Sequence, residues 1–417
     1  MSSLIIKGNQ RLEGEISLHG AKNSALPILA ATVICNGECI IHNVPRLSDI
    51  DAAIRILRHV GCIVYREDNT VVVNSKYIDC DSIPDNLMRE MRSSIIFLGS
   101  ILARCKKATL SGPGGCELGP RPIDIHISAL KRLGAQIDED HGNLNCRIEK
   151  GLHGAEITFP LPSVGATENA MILASVAKGK TVIRNAAREP EIKDLADFLK
   201  GAGAKISGEE SGTIEITGVS SLSGVEHTVI PDRIAVSTYM SAVSITGGEL
   251  LMNNVVTEHI VPVTECFKAA GVKLLLEENK LFLKAPPKLK GGYTVKTHFY
   301  PGFPTDAAPT TLAMMSAAEG TSVFVENIFS NRFKYIDELK RMGAKVSVEG
   351  KVAIVNGVDD LWGSTVECTD LRGGAALVVA ALKAHGTTKI NKIYHIDRGY
   401  DSIECYLKKL GAEIIRK

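Results

Sequence analysis

A five-residue pattern recurs along the chain and leaves few architectures open. It reads Leu57-Arg-His-Val-Gly61, Leu130-Lys-Arg-Leu-Gly134, Leu199-Lys-Gly-Ala-Gly203, Phe267-Lys-Ala-Ala-Gly271, Leu339-Lys-Arg-Met-Gly343 and Leu407-Lys-Lys-Leu-Gly411. The spacing is about 70 residues, which makes each copy one supersecondary unit of a larger array. A short alternating or β-branched run follows each copy, so the glycine is predicted to end a helix and turn the chain into a strand.

Every unit carries a second predicted helix rich in small residues: Ala21 to Thr32, Arg92 to Ala103, Val164 to Ala177, Ile234 to Ile245, Ala307 to Ala318 and Gly373 to Ala384. Apolar residues on nearly all faces imply helices buried on every side. The last unit stops after Ile414-Ile415, short of the strand pair that the earlier units place before this helix. Leu4 to Leu18 parallels Ile214 to Val229 and Val352 to Val366, so residues 1 to about 21 are expected to complete the sixth unit and bring the termini together.

With 417 residues, 45% of them hydrophobic, the chain exceeds what one core organises. Three units per domain give one domain over 22–230 and a second over 1–21 and 231–417. The fold class is α/β, with the cleft between the domains the natural ligand site. The 48 basic and 47 acidic residues leave a formal charge of +1, no general reason for a nucleic-acid or anionic-membrane partner. MSSLIIKGNQ lacks the features of a signal peptide, and the longest apolar run, Ala25 to Cys35, falls short of the ~18 residues of a membrane span. A cytoplasmic protein is expected. The ten cysteines show neither CxxC nor His-rich spacing, so neither a metal site nor a disulfide framework is expected.

Charged residues cluster where strands should run into helices: Lys22, Arg92, Arg121, Arg332, Arg372 and Arg398, with Asp306 and Asp370 among them. Cations at helix N-termini make phosphate and carboxylate sites, because free N–H groups and the helix dipole add to the side-chain charge. Recurring in a chain of near-zero net charge, they point to a poly-anionic substrate. Ser111 to Pro122, SGPGGCELGPRP, is too rich in glycine and proline for regular structure and reads as a lid. Cys116 sits at its centre with Arg121 nearby, a setting that lowers a thiol's pKa.

Taken together, Gly20-Ala-Lys-Asn23, Pro113-Gly-Gly-Cys116, Arg121-Pro-Ile-Asp124, Ser163-Val-Gly-Ala-Thr167, Arg188-Glu-Pro-Glu191, Pro231-Asp-Arg233, Phe303-Pro-Thr-Asp306 and His395-Ile-Asp-Arg398 resemble the UDP-N-acetylglucosamine 1-carboxyvinyltransferases, in order along the whole chain. The resemblance implies two similar inside-out α/β barrel domains, each of three βαβαββ units, with the active site in the interdomain cleft. It also implies transfer of the enolpyruvyl group of phosphoenolpyruvate to the 3′-hydroxyl of UDP-N-acetylglucosamine without a cofactor, the entry step to peptidoglycan. Lys22, Arg121 and Arg398 then look like the phosphoenolpyruvate ligands, Asn23 like a sugar ligand, Cys116 like the proton donor and covalent thiol, and Asp306 like the base. Arg92, Arg121, Pro122, Ile123, Asp124, Ile125, Ser163, Val164, Gly165 and Ile328 would line the UDP-sugar, and Arg332, Asp370 and Arg372 complete the substrate-binding set. Leu161, Ala308 and Ser330 depart from common family patterns and bear on affinity and specificity. The alternatives are 5-enolpyruvylshikimate-3-phosphate synthase and a UDP-sugar sensor without catalysis.

Overall fold

The structure is a computed structural model, and it describes residues 2–111 and 123–417. Two compact units, each with its own apolar core, account for these residues. One runs from Gly20 to Ile230 and the other combines the chain up to His19 with Pro231 to Lys417. The chain therefore leaves the second unit after His19 and returns to it at Pro231.

Six four-stranded sheets share one topology: a parallel pair at one edge, then two antiparallel steps. Glu156–Thr158 beside Lys180–Arg184, Thr213–Thr217 and Lys205–Ser207 is a representative set. Four of the six parallel pairs are bridged by a small-residue helix, since parallel neighbours need a crossover; in the other two, Glu226–Thr228 with Glu38–His42 and Glu13–Ser17 with Glu249–Asn253, the paired strands lie far apart in sequence. A second, amphipathic helix then leads into the hairpin. The unit is thus βαβαββ, six times.

Helices occupy the interior. Ala308–Met315 is buried at every position, and so are the residues 372–382 of Leu371–Lys383 and 234–245 of Arg233–Ile245. These three pack on one another within their unit. The sheets lie outside them with alternating burial, as in Lys280–Lys284, whose Leu281 and Leu283 face inward. This is an inside-out α/β barrel, and Gly20 to Ile230 repeats it around Lys22–Ala31, Phe97–Cys105 and Val164–Ala174.

All six repeat glycines end the amphipathic helices with positive φ, between 88° and 108°. Glycine is the residue that adopts this conformation without steric cost, so the pattern of six reports six turns from helix to strand.

Strands near the N-terminus close the second unit in two places. Ser3–Lys7 lies between Thr387–Asn391 and Glu413–Arg416 and completes the sixth sheet. Glu13–Ser17 instead pairs in parallel with Glu249–Asn253, in the fourth sheet, which corrects the expectation that residues 1 to 21 all serve the sixth unit. In the first unit Glu226–Thr228 pairs in the same way with Glu38–His42. At both crossings the strand stays in the unit it leaves while its helix starts in the other, so each barrel is closed by a strand from the far end of its own sequence.

The helix expected over 92–103 also differs. Asp85–Glu90 precedes it, Arg92–Ile96 is 3₁₀, and the α-helix proper is Phe97–Cys105. Ser94 turns its hydroxyl back onto the Met88 carbonyl, 3.0 Å away, a local bond that competes with regular helix.

Three equivalent glycines set the packing distance between strand and inner helix. A Cβ on Gly8, Gly218 or Gly357 would lie 2.2, 1.6 or 1.5 Å from the carbonyl oxygen of Ala384, Ala177 or Ala318, where the inner helices end. We expect Gly357→Ala to cost about 3 kcal/mol or more through forced backbone movement. Gly350→Ala, with open space around it, should cost only the roughly 1 kcal/mol of its positive φ. Urea unfolding of the two variants checks the contrast; equal losses would show that the close approach is not a constraint.

Candidate active site

The sequence-predicted residues fall into one group in each unit. In the first unit, Lys22 opens the helix Lys22–Ala31, and its Nζ lies 2.5 Å from Asp49 Oδ2. Both side chains are buried, at 10% and 3% exposure, so the ammonium is held by a carboxylate out of solvent. Removing one partner of such a pair costs about 3–5 kcal/mol. Asn23 is exposed on the same turn, and Ser24 is fixed by a hydroxyl bond to the buried Asp194.

Ser163 caps Val164–Ala174, its Oγ accepting from the Ala166 N–H at 3.4 Å. Val164 and Gly165 then present first-turn N–H groups, a dipole end suited to an anion. Ile123 is half-buried and Asp124 exposed at the start of Asp124–Arg132, but the Ile125 side chain points into the core. A ligand could meet Ile125 only through its backbone. Arg92 begins the 3₁₀ segment Arg92–Ile96. Cys116, Arg121 and Pro122 lie outside the described residues.

One histidine that no sequence motif marks joins these elements. His126 is buried, and its Nδ1 lies 2.9 Å from Asn169 Nδ2. Asn169 is fixed in turn, since its Oδ1 accepts the Gly99 N–H and its Nδ2 donates to the Ile95 carbonyl, both at 2.9 Å. Asn169 must therefore donate to His126 Nδ1, which leaves the imidazole proton on Nε2. That nitrogen lies 3.3 Å from where a Cβ on Gly165 would stand, so the ring packs over the capped helix start. The sequence signals it by its place after the Arg121 to Ile125 motif and by the repeats, whose equivalent positions are Ala53, Leu195, Val263, Tyr335 and Ile403.

In the second unit, Asp306 is gripped from both sides. Arg332 Nη2 donates to Oδ1, and Arg372 donates to Oδ2 through Nε and Nη2 at 3.2 Å each. The two arginines are 1% and 3% exposed, against 28% for Asp306. Burial opposes the charge of Arg372, but Tyr400, Asp306 and Asp232 together hold its pKa above the ordinary value. Its guanidinium lies 5.3 Å from the Tyr400 ring, and its Nη1 is buried with no hydrogen-bond partner among the described residues. Two buried guanidiniums thus converge on one partly exposed carboxylate, and fork-shaped donors of this kind suit carboxylate and phosphate groups.

Asp370 is the N-cap of Leu371–Lys383, its Oδ1 accepting the N–H groups of Arg372 and Gly373 at 3.0 Å each. Its position beside Arg372 thus has a structural cause. Arg398 ends Ile393–Arg398, half-buried, and Tyr400 just beyond it bonds to Thr238 at 2.8 Å. Ile328 is half-buried in the turn after Thr321–Val325. Of the departures from family pattern, Leu161 is exposed, Ala308 is buried in the core and Ser330 is exposed.

Nine of the cysteines are described, all as free thiols. Burial pushes Cys62 up to about 11 and Cys146, Cys266 and Cys368 up to about 12, which leaves almost no thiolate at neutral pH. Cys405 is the exposed member of the set. No group of three metal-ligating side chains and no helix able to cross a membrane is found among the described residues.

Comparison with known proteins decides the family. A sequence model described as EPSP synthase (3-phosphoshikimate 1-carboxyvinyltransferase) matches residues 6–407. UDP-N-acetylglucosamine 1-carboxyvinyltransferase 2 of Caldanaerobacter subterraneus subsp. tengcongensis is 49% identical, with 100% of both chains covered. UDP-N-acetylglucosamine 1-carboxyvinyltransferase 1 of Symbiobacterium thermophilum is 46% identical over 99% of this chain and 94% of its own. The chain belongs to the UDP-N-acetylglucosamine 1-carboxyvinyltransferases. This enzyme family shares its architecture more widely: the enolpyruvyl transferase NikO of Streptomyces tendae superposes with a TM-score of 0.91 at 24% identity, covering 100% of this chain and 99% of NikO. An EPSP synthase of Acinetobacter baumannii gives 0.76 at 18%, with the same coverage. At those identities the likeness shows the fold alone.

Burial lowers the pKa of His126 to about 4, despite the opposing pull of Asp124. Unfolded, the ring titrates near 6.5. The stability contributed by keeping it neutral is complete above that value and is lost as the pH falls toward 4. Between pH 7 and pH 5 we expect His126 to account for about 2 kcal/mol of lost stability. Urea unfolding of the protein and of His126→Asn at both pH values tests this, the variant being the less sensitive; equal pH dependence would refute it.

Proposed function

We propose that the two groups of residues serve one reaction, the transfer of the enolpyruvyl group of phosphoenolpyruvate to the 3′-hydroxyl of UDP-N-acetylglucosamine with release of phosphate. The observation that carries this is Asp306 between two buried arginines, in a chain 49% identical end to end to a relative named for that activity. EPSP synthase is the weaker reading, because its solved structures share only 17–18% identity with this chain. A sensor without catalysis is disfavoured by the presence of Lys22, Cys116 and Asp306 together. The substrates are metabolites of the cytoplasm, where we place the enzyme at the entry to peptidoglycan synthesis.

In this reading Cys116 protonates the methylene carbon of phosphoenolpyruvate. Cationic character develops at the adjacent carbon, the sugar hydroxyl attacks it, and Asp306 takes the hydroxyl proton. The tetrahedral adduct then loses a proton from its new methyl group and expels phosphate, restoring the double bond. A positioned acid or base contributes about 10²- to 10⁴-fold.

Lys22, Arg121 and Arg398 hold the phosphate and carboxylate of phosphoenolpyruvate. Arg92, Asn23, Ile123, Asp124, the Ile125 backbone, Ser163 to Gly165 and Ile328 accommodate the nucleotide sugar. A carboxylate clamped by two guanidiniums is a poor base, so the anionic substrates also act on the base itself, competing for Arg332 and Arg372 and thereby releasing Asp306. Asp370 supports this by fixing the helix start that carries Arg372.

Phosphate release should be seen with phosphoenolpyruvate and UDP-N-acetylglucosamine and not with shikimate 3-phosphate; the reverse preference would overturn the proposal. Asp306→Asn should keep UDP-sugar binding and lose about 10²- to 10⁴-fold in turnover. Near-normal turnover would remove it from the base role.

The lid thiol has its own test. Fosfomycin, which by the family resemblance alkylates the lid cysteine, should give one adduct per chain on the Cys116 peptide, with none in Cys116→Ser. The exposed Cys405 is the internal control, and labelling there instead would show that accessibility alone selects the thiol. Cys116→Asp separates the roles, since a carboxylic acid can donate a proton but cannot form the thiol adduct.

A further inference from the structure

Glu326 follows directly on the strand Thr321–Val325 and is 1% exposed. Directly after the equivalent strands of other repeats stand Asn43, Asn185, Asn254 and Lys392, none of them buried. A buried carboxylate there demands an explanation, and all its side-chain bonds lead to the candidate site.

Oε1 accepts the N–H groups of Ile328 and Phe329 at 2.8 and 3.0 Å, which shapes the turn that carries Ile328. Oε2 accepts the Thr305 hydroxyl at 2.9 Å. With its proton committed to Glu326, Thr305 Oγ1 has lone pairs left, and one accepts the Arg332 Nε–H at 3.2 Å. Arg332, itself 1% exposed with its guanidinium 5.1 Å from the Phe329 ring, then reaches Asp306 with Nη2. Every donor and acceptor in this path has one consistent assignment, so its geometry is specified rather than averaged.

We propose that Glu326, acting through Thr305, is a positioning residue that ties the turn at Ile328 to the grip of Arg332 on Asp306. This rests on the reading above in which Ile328 meets the nucleotide sugar and Asp306 accepts the hydroxyl proton. A ligand that moves the Ile328 turn shifts the Glu326 carboxylate, and Thr305 passes that shift to the Nε end of Arg332. The release of Asp306 is thereby linked to occupation of the sugar side of the site. Neither Glu326 nor Thr305 has to touch the reacting atoms.

Thr305→Val is nearly isosteric and removes only the central link, leaving Glu326 on the two turn N–H groups. We expect its kcat to fall about 10- to 100-fold, the scale of a misplaced catalytic group, with KM for UDP-N-acetylglucosamine within about 2-fold of the parent. Thr305→Ser, which restores the hydroxyl, should recover kcat to within about 3-fold. Glu326→Ala frees the turn as well and should raise that KM while lowering kcat. In the double variant Glu326→Ala/Thr305→Val the two kcat losses should not add, because one path is broken twice. Melting temperatures of all variants separate folding loss from the kinetic effect. A merely structural Glu326 would lower the melting temperature and leave kcat and KM of Thr305→Val unchanged, and that result overturns the inference while the proposed reaction stands. No turnover of UDP-N-acetylglucosamine by the parent enzyme would sink the reading and the inference together.

Discussion

A helix buried on every side has to be made of residues small enough for its neighbours to approach. The inner helices of both barrels meet this condition with alanine, glycine, serine and threonine. The sheets can then close around them, and at Gly8, Gly218 and Gly357 the strand comes so near an inner-helix carbonyl that no side chain fits. Six units obeying this constraint give two barrels of three. The hydrophobic faces of the sheets turn inward, and larger side chains such as Ile63, Leu275 and Ile354 are left exposed on the outside, because the inner helices need only one face of each sheet.

An interior crowded with helix ends is also an interior full of unsatisfied backbone groups. The structure answers with side-chain acceptors at the N-termini: Ser163, Asp232 and Asp370 each cap a helix. The same helix starts attract the charged side chains. Lys22 occupies the first turn of one inner helix and Arg372 that of another, each neutralised by a buried or half-buried aspartate. The residues that stabilise the fold and those proposed to bind anions are therefore neighbours, and Asp370 is a case in which one carboxylate fixes the helix start that carries a candidate-site arginine.

Much of this is legible in the sequence because the fold is repeated. The six helix-ending glycines, the small-residue helices and the closure by Ser3–Lys7 can all be found by laying one part of the chain on another. Repetition says less about exchanged partners. The pairing of Glu13–Ser17 with Glu249–Asn253 looks no different in sequence from the pairing of equivalent strands inside a unit. The 3₁₀ stretch Arg92–Ile96 is hidden as well, since a local bond such as that of Ser94 to the Met88 carbonyl leaves no mark on the apolar pattern.

The site divides along the same line. Residue types and positions mark out Lys22, Asp306, Arg332 and Arg372, but nothing in a linear pattern states that one carboxylate is shared by two arginines. His126 and Glu326 escape a reading of the sequence because neither belongs to a repeated position with repeated chemistry; each is the exception at its place. Comparison of the repeats sets His126 against Ala53, Leu195, Val263, Tyr335 and Ile403, whereas Glu326 stands out only once burial is known. At the place of Glu326 the other strands named above run into asparagine or lysine in contact with solvent, and a carboxylate there reads from sequence as one more surface charge. Enclosed at 1% exposure and committed to three side-chain hydrogen bonds, it becomes the group through which the Ile328 turn and the Asp306 clamp share one geometry. Symmetry built the scaffold, and the departures from symmetry, forced to find partners inside it, are where its chemistry gathers.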